Sequence, residues 1–263
     1  MWIYMSRESP PHSGHGLVPN VFNWTMTYRQ DSDFPISYGI CVGYDFPTKK
    51  LNLMKNEGKN WAKNKTKLTA WISSNCNSPS WPRTKFVKEL SKKMPIDMFG
   101  KCGGRPCPGT ECFERLRSYK FYLAFENSRC TDYITEKMWR NSFVFDAVPI
   151  VYGTNKQNYE KLAPPNSFIH LSDFPNMTSL ANYIKLLDRN DTLYNTFLRW
   201  KDFCFIDEQR EPAVITQDML CSITKKLRSV DKMSKDGKEP VIADLKKIWF
   251  DTSHESPSLP LPV

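Results

Sequence analysis

The chain has 263 residues, 40% of them hydrophobic and 13% aromatic, which allows one large or two small domains with a proper core. Its formal charge of +9 suits an anionic partner, whether nucleic acid, membrane surface, sulfated glycan or sugar nucleotide. No RNA-binding signature, zinc-finger spacing or basic heptad accompanies that charge, which sets nucleic acid aside, and no stretch is long and apolar enough to span a bilayer.

In chain order, Trp2-Ile3-Tyr4-Met5 predicts a strand that stops before Pro10-Pro11. Glu8 then stands just past a strand's end, where α/β folds often keep catalytic groups; a solvated loop glutamate is the plainer reading. Residues 21–28 are rich in β-formers. Arg29 follows, with a fork that suits phosphate or carboxylate, although Asp31 and Asp33 are near enough to pair with it. The Lys- and Asn-rich residues 47–67 read as a linker. Residues 67–73 predict a strand that ends at Ser74-Asn75-Cys76. Residues 83–93 predict an amphipathic helix with Phe86, Val87 and Leu90 on one side and Arg83 at its start. Residues 96–100 form another short strand.

Eight cysteines are present, and Cys102, Cys107 and Cys112 share a Gly/Pro-rich loop. They lack Cys-x-x-Cys or paired His spacing, so disulfides in an oxidising compartment fit better than zinc. Sequons at Asn23, Asn64, Asn176 and Asn190 agree with such a compartment. After a helix over 113–117 comes the most informative stretch, residues 119–153. Phe121 to Phe125 is an unbroken apolar run, as expected of a strand buried on both faces. Asp132 is the expected N-cap of a helix that carries Ile134, Met138 and Phe145 on one side, with Glu136 and Lys137 in its first turns. Residues 150–152 begin the next strand. A β-α-β unit of this kind gathers acid, amide and ammonium groups at one crevice, where α/β sheets bind phosphorylated ligands. The competing reading is an ordinary buried unit with a solvated Glu–Lys pair.

A short strand at 168–170 and helices at 180–187 and 191–200 complete an alternation from 67 to 226, which implies a mainly parallel sheet with covered faces. Beyond 226 the chain is highly charged, and residues 256–263 are Pro-rich and expected to be disordered or extended. His12, His15, His170 and His254 are scattered, and none is taken as a metal ligand. Met1 leads straight into a strand with no signal peptide, so the expectation is a chain lacking its natural amino terminus.

Taken together, the ordered blocks resemble the α1,3-fucosyltransferases of glycosyltransferase family 10, in their Lewis-type animal branch. The blocks are Glu8-Ser9-Pro10, Phe22 to Arg29, Asp31-Ser32-Asp33, Tyr38-Gly39, Ser73-Ser74-Asn75-Cys76, Phe125-Glu126-Asn127, Tyr133-Ile134-Thr135-Glu136-Lys137, Ala147-Val148-Pro149 with Gly153, and 164–170 with Asp173-Phe174. The resemblance implies an α/β fold of GT-B type. Residues 1–66 would be the remnant of a Rossmann-like acceptor domain plus linker. Residues 67–227 would be a complete Rossmann-like donor domain, and 228–263 a charged segment and tail. It implies inverting transfer of fucose from GDP-fucose to a hydroxyl of N-acetylglucosamine in a glycan such as N-acetyllactosamine.

Glu8 matches the family's general base, and Lys137 the partner of the diphosphate, supported by the helix amino end. Glu136 would accept bonds from ribose or fucose hydroxyls, and Arg83 would bind phosphates. Asn75, Tyr133, Glu126 and Asn127 would line or support the nucleotide pocket, the last two equally as supports, while Tyr28 and Arg29 border the cleft. The architecture needs no metal, although manganese stimulates some relatives. The Golgi lumen is the implied place, reached through a membrane anchor outside this chain. The alternatives are a shortened inactive form or pseudoenzyme that still binds nucleotide, and a non-catalytic secreted binder of anionic glycans.

Overall fold

The structure, a computed structural model, describes residues 1–13, 16–45, 56–77, 80–208, 217–233 and 240–251. His15, His254, the tail at 256–263 and part of the expected linker lie outside the described residues. Nine strands are described. They are β1 (Ile3–Ser6), β2 (Trp24–Thr27), β3 (Gly39–Gly43), β4 (Lys67–Ile72), β5 (Ile96–Phe99), β6 (Tyr119–Phe125), β7 (Val148–Tyr152), β8 (Ile169–His170) and β9 (Cys204–Glu208).

The centre is a five-stranded sheet in the order β5-β4-β6-β7-β8, parallel throughout. All seven residues of β6 are buried. The pleat sends Phe121, Leu123 and Phe125 to one face and Tyr122 and Ala124 to the other, so both faces must be apolar. The first face packs on the helices Arg83–Ser91 and Met177–Arg189, through Phe86, Val87 and Leu90 and through Leu180, Ala181, Ile184 and Leu187. Asn176 starts the second of these with a capping box to Ser179. The other face packs on Met138, Trp139, Phe143 and Trp200. Burying a side chain such as Leu123 contributes about 1.5–3 kcal/mol. Leu123→Asp would place an unpaired charge between the layers.

Two smaller sheets flank this core. β1 and β2 pair in parallel, with Ile3 opposite Trp24. β3 pairs with β9 antiparallel, and the Cys41–Cys204 disulfide joins them. Cys76–Cys102 and Cys107–Cys112 are also disulfides, so the cysteine loop is oxidised as expected. Cys130 is buried and Cys221 exposed.

Several elements differ from expectation. β6 starts at Tyr119 and carries two more residues than the apolar run. The helix expected at 113–117 spans Gly109–Glu114 and tightens into a 3-10 turn, Arg115–Ser118, which buries Leu116. The helix Lys156–Leu162, capped by Asn155, was not foreseen. Neither was the β3–β9 sheet. Two helices, Gln217–Met233 and Leu245–Asp251, fall where no element was assigned. Leu245 and Trp249 of the second are buried against Tyr4, Tyr28 and Tyr133, which accounts for its order. No helix among the described residues is long and apolar enough to cross a membrane.

Candidate active site

The chain runs from β4 to β5 on one side, then returns to β6 on the other side of β4. The carboxyl ends of β4 and β6 therefore form the point where strand order reverses, the usual crevice of such sheets. Asn75 follows β4, Glu126 follows β6, and Arg83 opens the helix between them.

Glu126 is fully buried at the tip of β6. Its carboxylate accepts hydrogen bonds from the Thr135 backbone N–H at 2.8 Å and from Thr135 Oγ1 at 2.8 and 3.0 Å. Lys137 Nζ lies 3.0 Å from Glu126 Oε2 and 3.0 Å from Glu136 Oε1, and donates to Thr135 Oγ1 at 2.7 Å. Burial pushes the Glu126 carboxyl up, against the pull of Lys137. Burial also disfavours the Lys137 ammonium, but the two carboxylates outweigh it and hold its pKa above the ordinary lysine value. Burial acts on Glu136 too, yet Lys137 keeps that carboxyl below its usual range. The Glu136 side chain remains 39% exposed, whereas that of Lys137 is 15% exposed. Glu136 is therefore the member of the triad that solvent or a ligand can reach.

The sequence permits this packing because residue 153 is glycine. A Cβ there would lie 2.6 Å from Glu126 Cβ. The N-cap of the following helix is Thr135, whose side chain accepts from Lys137 N, and not Asp132 as expected. Asp132 takes a left-handed backbone, φ 60°, and its Oδ2 accepts from Gln30 N. The helix itself, Glu136–Trp139, is a single turn, so its macrodipole adds little to the Lys137 charge.

Arg83 is buried, and its fork is turned inward. Nη1 donates to the Phe125 carbonyl and Nη2 to the Asn75 carbonyl, both at 2.9 Å. It thus ties the ends of β4 and β6 together. Trp81 Nε1 adds a bond to the Glu126 carbonyl at 3.0 Å. Asn75 is exposed, held from the next residue by the Cys76–Cys102 disulfide. Asn127, next to Glu126, is half-buried.

The opposite wall comes from the first forty residues. Glu8 is exposed, and its Oε2 accepts from the Tyr133 hydroxyl at 3.1 Å. Burial pushes the Tyr133 phenol well up, with Tyr38, Glu126, Glu8 and Glu136 adding to the effect, so it remains a donor at neutral pH. Beside it, Arg7 stacks on the Tyr38 ring at 4.1 Å, and Tyr38 donates to the Arg7 carbonyl at 2.8 Å. Burial lowers the Arg7 pKa, while Tyr38, Glu136 and Glu8 act to raise it. Two further bonds join the walls: Gln30 to Asp132, already given, and Ser9 Oγ to Ser128 Oγ at 2.7 Å between two buried hydroxyls. Tyr28 is buried beneath this wall, edge-on to Tyr133. Arg29 pairs with Asp31 through Nε at 2.8 Å and Nη2 at 2.5 Å, the local pairing foreseen as its plainer role.

Glu8, Tyr133, Glu136 and Lys137 thus converge on one crevice, whereas Arg83 and Glu126 support it from within. Arg7 and Tyr38 were not singled out as site residues. A cation immediately before the candidate base was the available signal. Of the sequon asparagines, Asn64, Asn176 and Asn190 are exposed, while the Asn23 amide donates to the Pro240 carbonyl at 3.4 Å. Among the described residues no group of three or more His, Cys, Asp or Glu is placed to hold a metal ion.

The family model "Glycosyltransferase family 10 (fucosyltransferase) C-term" matches residues 62–247, and "Fucosyltransferase, N-terminal" matches residues 1–39. The chain is 43% identical over 208 residues to alpha-(1,3)-fucosyltransferase 4 of Bos taurus, an alignment covering 76% of this chain and 50% of that protein. It is 44% identical over 203 residues to the Mus musculus protein of the same name, with 76% and 46% covered. It is 40% identical over 198 residues to glycoprotein 3-alpha-L-fucosyltransferase A of Drosophila melanogaster, with 74% and 38% covered. The chain thus spans about half the length of the first relatives it matches. A solved alpha1,3-fucosyltransferase with GDP-fucose shares the fold at a TM-score of 0.57 and 18% identity, covering 85% of this chain and 73% of that one.

Proposed function

Because this chain belongs to glycosyltransferase family 10, the fucosyltransferases, we propose that it transfers fucose from GDP-fucose to a hydroxyl of N-acetylglucosamine, in α1,3 linkage and with inversion. One observation supports the reading: the Glu8 carboxylate, from the first segment, accepts a bond from Tyr133, which stands on the loop that leads into Glu136 and Lys137. Glu8 takes the proton of the acceptor hydroxyl as its oxygen attacks the fucose anomeric carbon and the bond to the diphosphate breaks. Lys137 receives the departing charge. The diphosphate displaces the reachable Glu136 from Nζ, and Glu126 stays beneath as the fixed counter-charge. Glu136, once released, accepts bonds from ribose or fucose hydroxyls. Asn75 and Asn127 border the nucleotide; Arg83 shapes its pocket by holding the Asn75 carbonyl.

Residues 67–227 act as the donor unit in this reading, and residues 1–66 contribute to the acceptor side. Three disulfides suit the oxidising lumen of the Golgi. The exposed Asn64, Asn176 and Asn190 are the sequons open to glycan attachment there.

The test has two arms. Calorimetry with GDP should show binding to the folded chain, and Lys137→Ala should abolish it. Incubation with GDP-fucose and N-acetyllactosamine should give a fucosylated product by mass spectrometry, reduced about 10²- to 10⁴-fold in Glu8→Gln while GDP binding persists. A folded chain without GDP affinity would overturn the donor assignment. Full turnover in Glu8→Gln would overturn the base.

A further inference from the structure

We infer that Trp249, in the helix Leu245–Asp251, is a positioning residue for the Glu8 carboxylate, and that Tyr133 is the group through which it acts. The inference rests on the base role proposed for Glu8. Trp249 lies 241 positions along the chain from Glu8, yet it reaches that residue by two routes.

The first route is the main chain. The Trp249 indole N–H donates to Ser13 Oγ at 3.2 Å, and Ser13 Oγ in turn donates to the Glu8 carbonyl at 3.1 Å and shares its proton with the Ser9 carbonyl at 3.1 Å. This pins the turn on which Glu8 sits. The second route is the side chain. The Trp249 ring packs on Tyr28 at 5.6 Å between centroids, and Tyr28 meets Tyr133 edge-on at 4.9 Å. Tyr4 also packs edge-on with Trp249, at 5.7 Å. Tyr133, Tyr28 and Trp249 are all buried, so the column cannot tilt without repacking. At its end the Tyr133 hydroxyl donates to Glu8 Oε2.

Glu8 itself is exposed, and an exposed glutamate on a loop samples several rotamers. Backbone tether and phenol together select one of them. The structure thus gives Tyr133 a role on the base side of the crevice, in addition to bordering the nucleotide.

The experiment labels the full chain with 13C-carboxyl glutamate and assigns the Glu8 resonance by its loss in Glu8→Gln. In Tyr133→Phe, at one fixed pH, the Glu8 resonance should shift and broaden, because the carboxylate returns to several rotamers. Trp249→Ala should do the same, and Trp249→Phe, which keeps the ring but loses the N–H, should do so less. In both Phe variants kcat should fall, by up to roughly ten-fold in Tyr133→Phe, and KM for GDP-fucose should stay unchanged in Trp249→Phe. A Glu8 resonance unchanged in both Tyr133→Phe and the foldable Trp249→Phe would overturn the inference. So would a KM-only effect, which would confine Tyr133 to the nucleotide. Failure of transfer in the unmutated chain would count against the base role alone, since the resonance reports on positioning without turnover.

Discussion

The two walls of the crevice are built on opposite principles. On one side, Glu126, Thr135 and Lys137 sit at the carboxyl end of the five-stranded sheet, and their side-chain polar atoms are paired with one another or with Glu136. On the other side, an exposed Glu8 stands on a two-stranded sheet that reaches the donor wall through a handful of tethers. Under the proposed function, the pre-paired cluster binds by exchanging one partner, Glu136, for a ligand oxygen, while Glu8 keeps its place through bonds to other elements. The difference separates a wall paired within itself from a wall held from outside.

The comparison is sharpened most by Lys137→Met. It strands buried Glu126, and the expected cost is about 3–5 kcal/mol in denaturant unfolding. Lys137→Met combined with Glu126→Gln should recover much of that, since the charge and its counter-charge leave together. Loss of the Cys41–Cys204 bridge comes next. It closes a separation of 163 residues, and Cys41→Ser with Cys204→Ser should cost about 2–4 kcal/mol, read by thermal unfolding under oxidising conditions. Ser128→Ala leaves the Ser9 hydroxyl buried without its partner and should cost about 1–2 kcal/mol. If Ser128→Ala matched Lys137→Met, the contrast between the walls would fail.

The smallest effect needs a change of pH to be seen. His170 is buried, and burial lowers its pKa below the ordinary value of 6.5. The unfolded chain therefore binds more protons than the folded one below that value, so stability is level above it and falls as pH drops beneath it. His170→Gln should flatten that acid slope in a series of thermal melts. An unchanged slope would assign it to carboxylates such as Asp31 or Asp33, whose pKa values lie below the ordinary range.

Much of the wall around Glu126 and Lys137 was legible because its signals are local. The apolar run at Phe121 to Phe125 predicts a doubly buried strand, and Glu136-Lys137 follow it within one loop. Thr135 was missed as a cap because Asp132 has the same chemistry three residues earlier; only the left-handed backbone at Asp132 distinguishes them. The β3–β9 pair was invisible for another reason. Its residues are mostly half-exposed or exposed, so they give no apolar run, and the two strands lie far apart in the chain, 163 positions at the Cys41–Cys204 bridge. The helix Leu245–Asp251 hides Leu245 and Trp249 among lysines that face solvent. Charge density there masks the helix until the aromatic surface it covers is known. Arg83 shows the reverse case: its residue type suggests a ligand contact, and only the structure shows that its fork also bonds two carbonyls at the ends of β4 and β6.

The Cys41–Cys204 bridge carries a consequence for the order of events during synthesis. β3 leaves the ribosome about 160 residues before β9, its pairing partner, and the β1–β2 wall waits longer still for Leu245 and Trp249. A segment made well before the sheet is thus among the last to mature, with its cysteine open to oxidation against earlier partners such as Cys76 while it waits. Pulse-labelled chains trapped before Cys204 emerges should show Cys41 reactive to alkylating reagents, and released chains should not. Protection of Cys41 in the trapped chains would mean that another thiol holds it first and that the native bridge is reached by exchange.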